Sequence, residues 1–273
     1  MLELAQQQAN FLPGMDLTFL TEMLLMLLVS TLRIGAFLMS SPLFGARWLP
    51  LQVRVLMAFA LAATLAMQPQ AIEFDQLASS AGVMMLLVEI AIGLTAGLTL
   101  TIWFSAMLLA GEKIASTAGL GFAAQVDPST GGQTPVVSQI LYLFMIVVFL
   151  SVDGHIMAIA IMIESYEILP IGASVNPGAL LESGISAASA MFLSATIIMF
   201  PIAMILLLVN VINGIITRSA PQLNLFSFAF PVTMLTVFVL LYFSASAMGH
   251  SAMSLIDGGL NAMRDLIGGL RYG

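Results

Sequence analysis

Long runs without any charged side chain restrict what this chain can fold into. Five stretches contain no Asp, Glu, Lys or Arg: Val55–Ile72, Ile90–Gly111, Pro128–Val152, Ser183–Thr217 and Ser219–Ile256. A helix of about 20 apolar residues crosses the hydrocarbon core of a bilayer. Only 8% of all residues are charged, against roughly 25% in soluble domains. We therefore predict an all-α, membrane-associated protein, or a subunit that neighbouring subunits cover on most sides.

Six apolar segments are predicted, at about Leu17–Leu38, Val55–Met67, Val83–Ala110, Pro135–Val152, Ile185–Ile216 and Leu223–Met248. The second is short, as a half-span or a buried helix would be, and Ile156–Ile163 could continue the fourth. Pro201 predicts a kink inside the fifth segment. The short joint Thr217–Gln222 predicts that segments five and six form an antiparallel hairpin. Met1–Asn10 is polar and has no basic start, so we expect no cleavable signal peptide.

Basic residues are unevenly distributed among the connections. Three connections carry them, namely Arg47 with Arg54, then Lys113, then Arg218, whereas the alternate connections carry acidic residues without Lys or Arg. The positive-inside rule then predicts cytoplasmic basic connections and an N-terminus on the outer side. The basic residues of the C-terminal tail fit this topology poorly if the tail, too, lies on the outer side.

Signatures of catalysis, metal binding and nucleic-acid binding are absent from the sequence. The chain has no cysteine, and its two histidines, His155 and His250, stand far apart outside any His-Glu-x-x-His pattern. It contains neither a phosphate-binding glycine loop ending in Lys-Ser or Lys-Thr nor a Gly-x-Ser-x-Gly nucleophile motif. Seven Lys and Arg do not make a basic face for nucleic acid. We predict a protein that is not an enzyme and that has no cofactor.

Two ionisable residues, Arg33 and Glu89, lie inside apolar segments. Such residues indicate function by default, so one alternative is a secondary transporter that uses both for a small solute or ion. The other interpretation is structural, with each side chain paired to an opposite charge, a carbonyl or water. Helix packing or charge pairing is also the expected role of Gly93 and Gly97 in a small-xxx-small pattern, of Asn210 and Asn213, and of Arg218.

One extended stretch, Gly119–Pro135, is both glycine-rich and polar, and it separates two apolar segments. Its glycines allow backbone conformations that other residues avoid, and its two prolines lack an N–H. A break in a membrane-type helix usually lines a cavity or is covered by protein. We interpret this stretch as the working part of the molecule, although an exposed loop is the simpler alternative.

Several short motifs resemble those of the FliR family, the flagellar type III export-gate subunit, which is related to an injectisome counterpart. They occur in the family's order along most of the chain: Gly121-Phe-Ala-Ala-Gln-Val-Asp-Pro128, Thr134-Pro-Val-Val-Ser138, Asp153-Gly-His155, Leu169-Pro-Ile-Gly172 and Ala220-Pro-Gln-Leu-Asn224 followed by Phe226. Each motif alone is weak, but the ordered set is specific.

The resemblance implies a non-enzymatic subunit of a protein-export channel in the bacterial inner membrane, at the flagellar basal body. Its implied partners are FliP, FliQ, FlhB and FlhA, together with unfolded flagellar substrates in transit and lipid at the periphery. It implies bent helical hairpins packed in a helical hetero-oligomer, with a FliP-like portion at 1–182 and a FliQ-like hairpin and C-terminal tail at 183–273. Neighbouring subunits, rather than lipid, could then cover much of the apolar surface.

The resemblance also assigns a role to the glycine-rich stretch. In the family the loop corresponding to roughly 112–127 plugs the central channel. Carried onto this sequence, the apolar plug contacts are Ile114, Leu120, Phe122 and Val126, and the bend residues are Gly119 and Gly121. A compliant apolar constriction is a physically reasonable barrier to ions.

Overall fold

A computed structural model describes residues 17–65, 79–119, 136–220 and 228–271. Helices account for most of these residues, and no β-strand occurs among them, so the predicted all-α class is confirmed. In chain order, the helices are α1 (Leu17–Ser40), α2 (Leu51–Leu65), α3 (Ser80–Thr117), α4 (Val136–Ser151), α5 (Gly154–Ile168), α6 (Pro177–Ser219) and α7 (Phe230–Arg271).

The described residues form two compact units, each assembled from separate stretches of the chain. The first takes the residues up to Leu98, then Ile159–Leu181, then those from Met263 onwards. The second takes Thr99–Ala158 and Glu182–Ala262. These units are defined by packing alone, so they do not test the predicted relation of 1–182 to FliP and of 183–273 to FliQ.

Helices α1 and α3 pack closely in the first unit at two glycines of α3. A Cβ atom at Gly93 would meet the backbone carbonyl of Arg33, and one at Gly97 would lie 2.7 Å from the carbonyl oxygen of Phe37. No larger side chain fits at either position without a shift of backbone. The small-xxx-small spacing therefore lies where two helix backbones approach each other.

The chain bends by 68° between α4 and α5. Asp153 occupies the bend with a φ of 56°, a left-handed conformation that non-glycine residues adopt rarely. In the second unit, Gly154 lies against the Phe149 ring, which packs edge-on against Phe104 with a centroid distance of 4.9 Å. Ile156–Ile163 thus belongs to a separate helix that follows a sharp bend.

Four described helices, α1, α3, α6 and α7, contain windows long and apolar enough to cross a membrane, and the bent pair α4–α5 would make a fifth span. Only 22% of the apolar window of α6 and 17% of that of α7 are buried within the chain, against 39% for α1 and for α3. Pro201 lies inside α6, which is continuous through it. Most of the apolar surface of α6 and α7 therefore needs lipid or another subunit to cover it.

Helix α7 extends well beyond the predicted end at Met248, as far as Arg271. In the second unit, Gly258 and Gly259 accommodate the Trp103 ring. In the first unit, the carbonyl oxygen of Leu270 accepts a hydrogen bond of 3.1 Å from the backbone N–H of Asn176. The polar and glycine-rich residues after Met248 are thus helical because they pack against the chain itself.

Candidate functional site: a buried ion pair and the base of the glycine-rich segment

A buried ion pair joins two helices of the first unit. Arg33 on α1 and Glu89 on α3 are 0% and 1% exposed. The Arg33 Nε donates to Glu89 Oε2 at 2.6 Å and the Nη2 donates to Oε1 at 3.0 Å. This two-point geometry matches the planar guanidinium to the planar carboxylate. Both ionisable groups that the sequence places inside apolar segments are therefore each other's partners.

The remaining donors of Arg33 bind the end of α5. The Nη2 also donates to the Leu169 carbonyl oxygen at 3.0 Å, and the Nη1 contacts the hydroxyl and carbonyl oxygens of Ser165 at 3.2 and 3.4 Å. The Tyr166 ring lies 4.1 Å from the Arg33 Cζ, in reach of a cation–π interaction. The Tyr166 hydroxyl donates to the Ser30 carbonyl oxygen at 3.0 Å.

This network is saturated on the arginine side. A guanidinium has five N–H donors, and the contacts above provide an acceptor for every one. Both carboxylate oxygens of Glu89 are also occupied. A solute-binding site needs free donors or acceptors facing a cavity, so the geometry favours a structural role for the pair over solute transport.

The glycine-rich segment begins from the packed end of α3 in the second unit. Ile114 is fully buried within the chain. Beyond Thr117 the helix closes with a turn in which the Gly119 N–H donates to the Ser116 carbonyl oxygen at 3.0 Å. Gly119 has a φ of 76°, so a side chain there would be strained. The Asn210 side chain of α6 donates to the Thr117 carbonyl oxygen at 2.8 Å, which satisfies an acceptor at the helix end.

The two helices on either side of the segment also meet. A Cβ atom at Gly111 on α3 would lie 2.6 Å from the Ser138 Cα, near the start of α4. The contact packs α3, six residues before its end at Thr117, against the start of α4. Leu120, Gly121, Phe122 and Val126 lie outside the described residues.

The other predicted packing residues lie on α6. The Asn213 side chain is buried and donates from Nδ2 to Thr233 Oγ1 of α7 at 3.1 Å, and to the Ala229 carbonyl oxygen at 3.4 Å. Arg218 is exposed in the last turn of α6, where its charge complements the helix dipole. Of the two histidines, His155 packs with its ring centroid 6.4 Å from that of Phe149. The described part of the chain holds no cluster of three or more metal-ligating side chains.

Sequence reasoning missed Ser165, Tyr166 and the Leu169 carbonyl as partners of Arg33. No local pattern links these residues to α1, because 132 residues separate Arg33 from Ser165. The one available signal was Tyr166 itself, because aromatic hydroxyls usually find a partner when buried, but its position between Glu164 and Glu167 did not indicate burial.

Comparison with known proteins decides the family. The family described as bacterial export proteins, family 1, matches residues 24–259. A flagellar biosynthetic protein FliR from Pectobacterium carotovorum is 33% identical over 203 residues, which are 74% of this chain and 77% of that protein. The chain belongs to the FliR family.

Other members of the FliR family match this chain over similar or longer stretches of sequence. The FliR protein of Escherichia coli K12 is 32% identical over 205 residues, or 74% of this chain and 77% of that protein. That of Bacillus subtilis 168 is 29% identical over 242 residues, or 86% and 92%. The resemblance read from the short motifs is therefore confirmed, and this FliR-family chain is a flagellar biosynthetic protein with several helices able to span a membrane.

Proposed function

We propose that this chain is a non-enzymatic structural and gating subunit of the flagellar type III export channel. In this proposal it lies in the bacterial inner membrane, at the flagellar basal body, and assembles with subunits of the FliP, FliQ, FlhB and FlhA types. Family membership is the observation that carries the proposal. The saturated Arg33–Glu89 network supports it further, because the network does not resemble the solute site of a transporter.

The gate in this proposal is the segment at about 112–127. Its stopper consists of Leu120, Phe122 and Val126, and its bends are Gly119 and Gly121. The left-handed turn at Gly119 supports this division, because it ends α3 immediately before the stopper. Ile114 would contribute from the packed base below the stopper, since it is buried within its own chain.

A movable plug needs a base that stays in place while the plug moves. The close packing of Gly111 against Ser138 and the hydrogen bond from Asn210 to the Thr117 carbonyl supply such a base. Displacing the stopper would then change the backbone after Thr117 and leave the ends of α3 and α4 packed.

Subunit joining in this proposal uses the FliP-like portion 1–182 and the FliQ-like hairpin at 183–273. The exposed apolar side chains of α6 and α7 support it, because they form a large surface that the chain does not bury. Exposed contiguous apolar surfaces of this size mark protein or membrane contacts. Lipid would cover the parts at the periphery of the assembly.

Co-expression tests the proposal against the transporter alternative. The full chain, affinity-tagged, is produced with and without FliP- and FliQ-type subunits and purified in a mild detergent. We expect recovery of a stoichiometric complex, and poor recovery of the chain alone. A stable monomer that catalyses solute uptake in liposomes would contradict the proposal.

A further inference from the structure

Helix α2 and the turn before it form an unusual surface on the first unit. Helix α2 has 15 residues, of which Ala58, Ala62 and Leu65 are buried. At about 1.5 Å per residue it is too short to cross a hydrocarbon core of about 30 Å. A short apolar helix with most of its surface exposed is suited to lying in a membrane interface or against another chain.

The exposed side chains of this surface are large, and many are apolar. Trp48, in the turn, is 66% exposed, and on α2 Leu56 is 68% and Phe59 is 51% exposed. Tryptophan is enriched at the headgroup level of membranes, because one side of its ring is apolar and its N–H is polar. An exposed tryptophan beside an exposed apolar helix therefore fits the boundary between headgroups and acyl chains.

Two arginines add positive charge to the same surface. Arg47 is exposed, and Arg54 is half-buried with its Nη2 donating to the Ala46 carbonyl oxygen. That bond places the Arg54 guanidinium beside the residue that precedes Arg47. Within the described residues neither arginine forms an ion pair, and the Arg54 Nε is buried without a partner.

Nothing nearby in sequence neutralises this charge. Residues 23–72 contain three arginines and no Asp or Glu, and Arg33, the third arginine, is already paired with Glu89. The two remaining charges therefore favour an anionic partner. Arginine suits phosphate in particular, because its fork of N–H donors matches two phosphate oxygens.

We propose that Arg47, Trp48, Arg54, Leu56 and Phe59 form an anionic-phospholipid site, named here the α2 lipid surface. The two arginines bind the phosphate of a headgroup such as phosphatidylglycerol, Trp48 lies at the glycerol level, and Leu56 and Phe59 contact acyl chains. Arg54 reaches back from α2 to the Ala46 carbonyl, so its charge lies beside the turn that holds Arg47 and Trp48, and the apolar side chains of Leu56 and Phe59 follow further along the helix. A protein partner would need carboxylates in place of the phosphate, and it is the competing outcome of the test.

Fluorescence quenching by brominated lipid tests the α2 lipid surface. The chain has two tryptophans, Trp48 and Trp103, so a W103F background leaves Trp48 as the reporter. The full chain is reconstituted in phosphatidylcholine vesicles that contain the same mole fraction of brominated phosphatidylglycerol or of brominated phosphatidylcholine. The difference between the native chain and W48F provides a second measurement that does not depend on the Trp103 substitution.

We expect brominated phosphatidylglycerol to quench Trp48 more strongly, with a local enrichment of about fivefold for each basic residue. The enrichment should disappear in R47Q/R54Q. It should persist in K113Q/R271Q, which removes the same charge from exposed positions elsewhere. R47Q alone should show a partial loss, and this exposed single variant keeps the test valid if R47Q/R54Q does not fold.

Two results would overturn the proposal. Equal quenching by both brominated lipids in the native background would mean apolar lipid contact without headgroup binding. No quenching by either lipid, also after co-reconstitution with the FliP- and FliQ-type subunits, would mean that protein covers the surface. Neither result would affect the assignment of the chain as an export-gate subunit.

Discussion

At the scale of single residues, the Arg33–Glu89 network is the most demanding feature of the chain. Removing two charges from water costs several kcal/mol per ion, and this cost is offset only when geometry and hydrogen bonding are good. Here each N–H of the guanidinium has an acceptor and both carboxylate oxygens are bound. Because Arg33 lies on α1 and its partners come from α3 and from the end of α5, it fixes the relative register of three helices.

Replacing one member of the pair by an apolar residue should therefore lower the free energy of unfolding by much more than replacing both. We expect R33M or E89L alone to lower the free energy of unfolding by about 3–5 kcal/mol, because each leaves a buried charge without its partner. The double variant R33M/E89L should lose much less than the sum of the two. Unfolding of the purified chain in mixed detergent and SDS measures this difference.

The control for this cycle is E164Q. Glu164 is exposed on the same helix as Ser165, so its neutralisation should change stability by no more than about 0.5 kcal/mol. Additive losses from R33M and E89L would contradict the coupling of the pair.

Sequence reasoning identified Arg33 and Glu89 but not their pairing with each other. Arg33 and Glu89 stood out because charges are rare inside apolar segments. Their separation of 56 residues hides the contact, since no helical or strand period connects positions so far apart. Packing of the three helices brings the groups together, and packing of this kind cannot be read from local pattern.

At the scale of helices, glycines determine how closely α1 and α3 approach. Gly93 and Gly97 present bare backbone to the carbonyl groups of Arg33 and Phe37. Close approach adds dispersion contacts along both helices, and this is a main source of helix association where no water is displaced. The same crossing brings Glu89, one turn before Gly93, within reach of Arg33.

The substitution G97A should separate these helices. Its Cβ would lie 2.7 Å from the Phe37 carbonyl oxygen, so the backbone must move. We expect the free energy of unfolding to fall by about 1–3 kcal/mol. The matched control is G184A in α6, where nothing lies within 4 Å of a Cβ. Alanine there should raise the free energy of unfolding by about 0.5–1 kcal/mol. Equal stability of the two variants in SDS titration would refute the close crossing.

A second prediction concerns the pairing of α6 with α7 through Asn213 and Thr233. Their hydrogen bond is buried, and the Thr233 hydroxyl also donates to the Ala229 carbonyl oxygen at 2.8 Å. In a double-mutant cycle of N213A and T233V, we expect a coupling of about 0.6–1.7 kcal/mol. A coupling near zero, measured by unfolding of the same preparations, would show that the two side chains do not stabilise the hairpin together.

Helix positions followed the sequence, but α3 continues past its predicted end at Ala110, α6 begins before its predicted start at Ile185, and α7 departs furthest from its predicted end. Apolar runs mark α1, α3, α4 and α6, because an apolar run of helical length needs no contact to be recognised. The end of α7 was wrong because charges and paired glycines follow Met248. A helical period was nevertheless present there, in Ala252, Leu255, Ile256, Leu260, Met263, Leu266, Ile267 and Leu270, all of which are buried.

At the scale of the whole molecule, the chain leaves most of α6 and α7 uncovered, and the helices before and after its glycine-rich segment pack together at Gly111 and Ser138. Both features fit one subunit of a larger channel. Composition could predict the apolar surface, but it could not distinguish lipid from protein as the cover, because both present apolar atoms.

The two halves of the glycine-rich segment should respond differently to substitution, because in our proposal 119–126 seals the channel and 127–135 anchors that seal to α4. We expect D127A/P128A to reduce the yield of complex with FliP- and FliQ-type subunits, because Asp127 and Pro128 are suited to start a rigid return toward α4. Conductance of the complex that does form should stay low. Normal yield combined with a leak would reverse the proposed division of roles.

The most direct test of gating is the ion conductance of the complex after deletion of Gly119–Ala124. The complex is purified with and without the deletion, its composition is compared by mass, and both preparations are inserted into planar bilayers at equal amounts. We predict that the deletion variant assembles and conducts ions, whereas the native complex stays closed. A fully assembled deletion complex with unchanged conductance would contradict the proposal that this segment seals the channel.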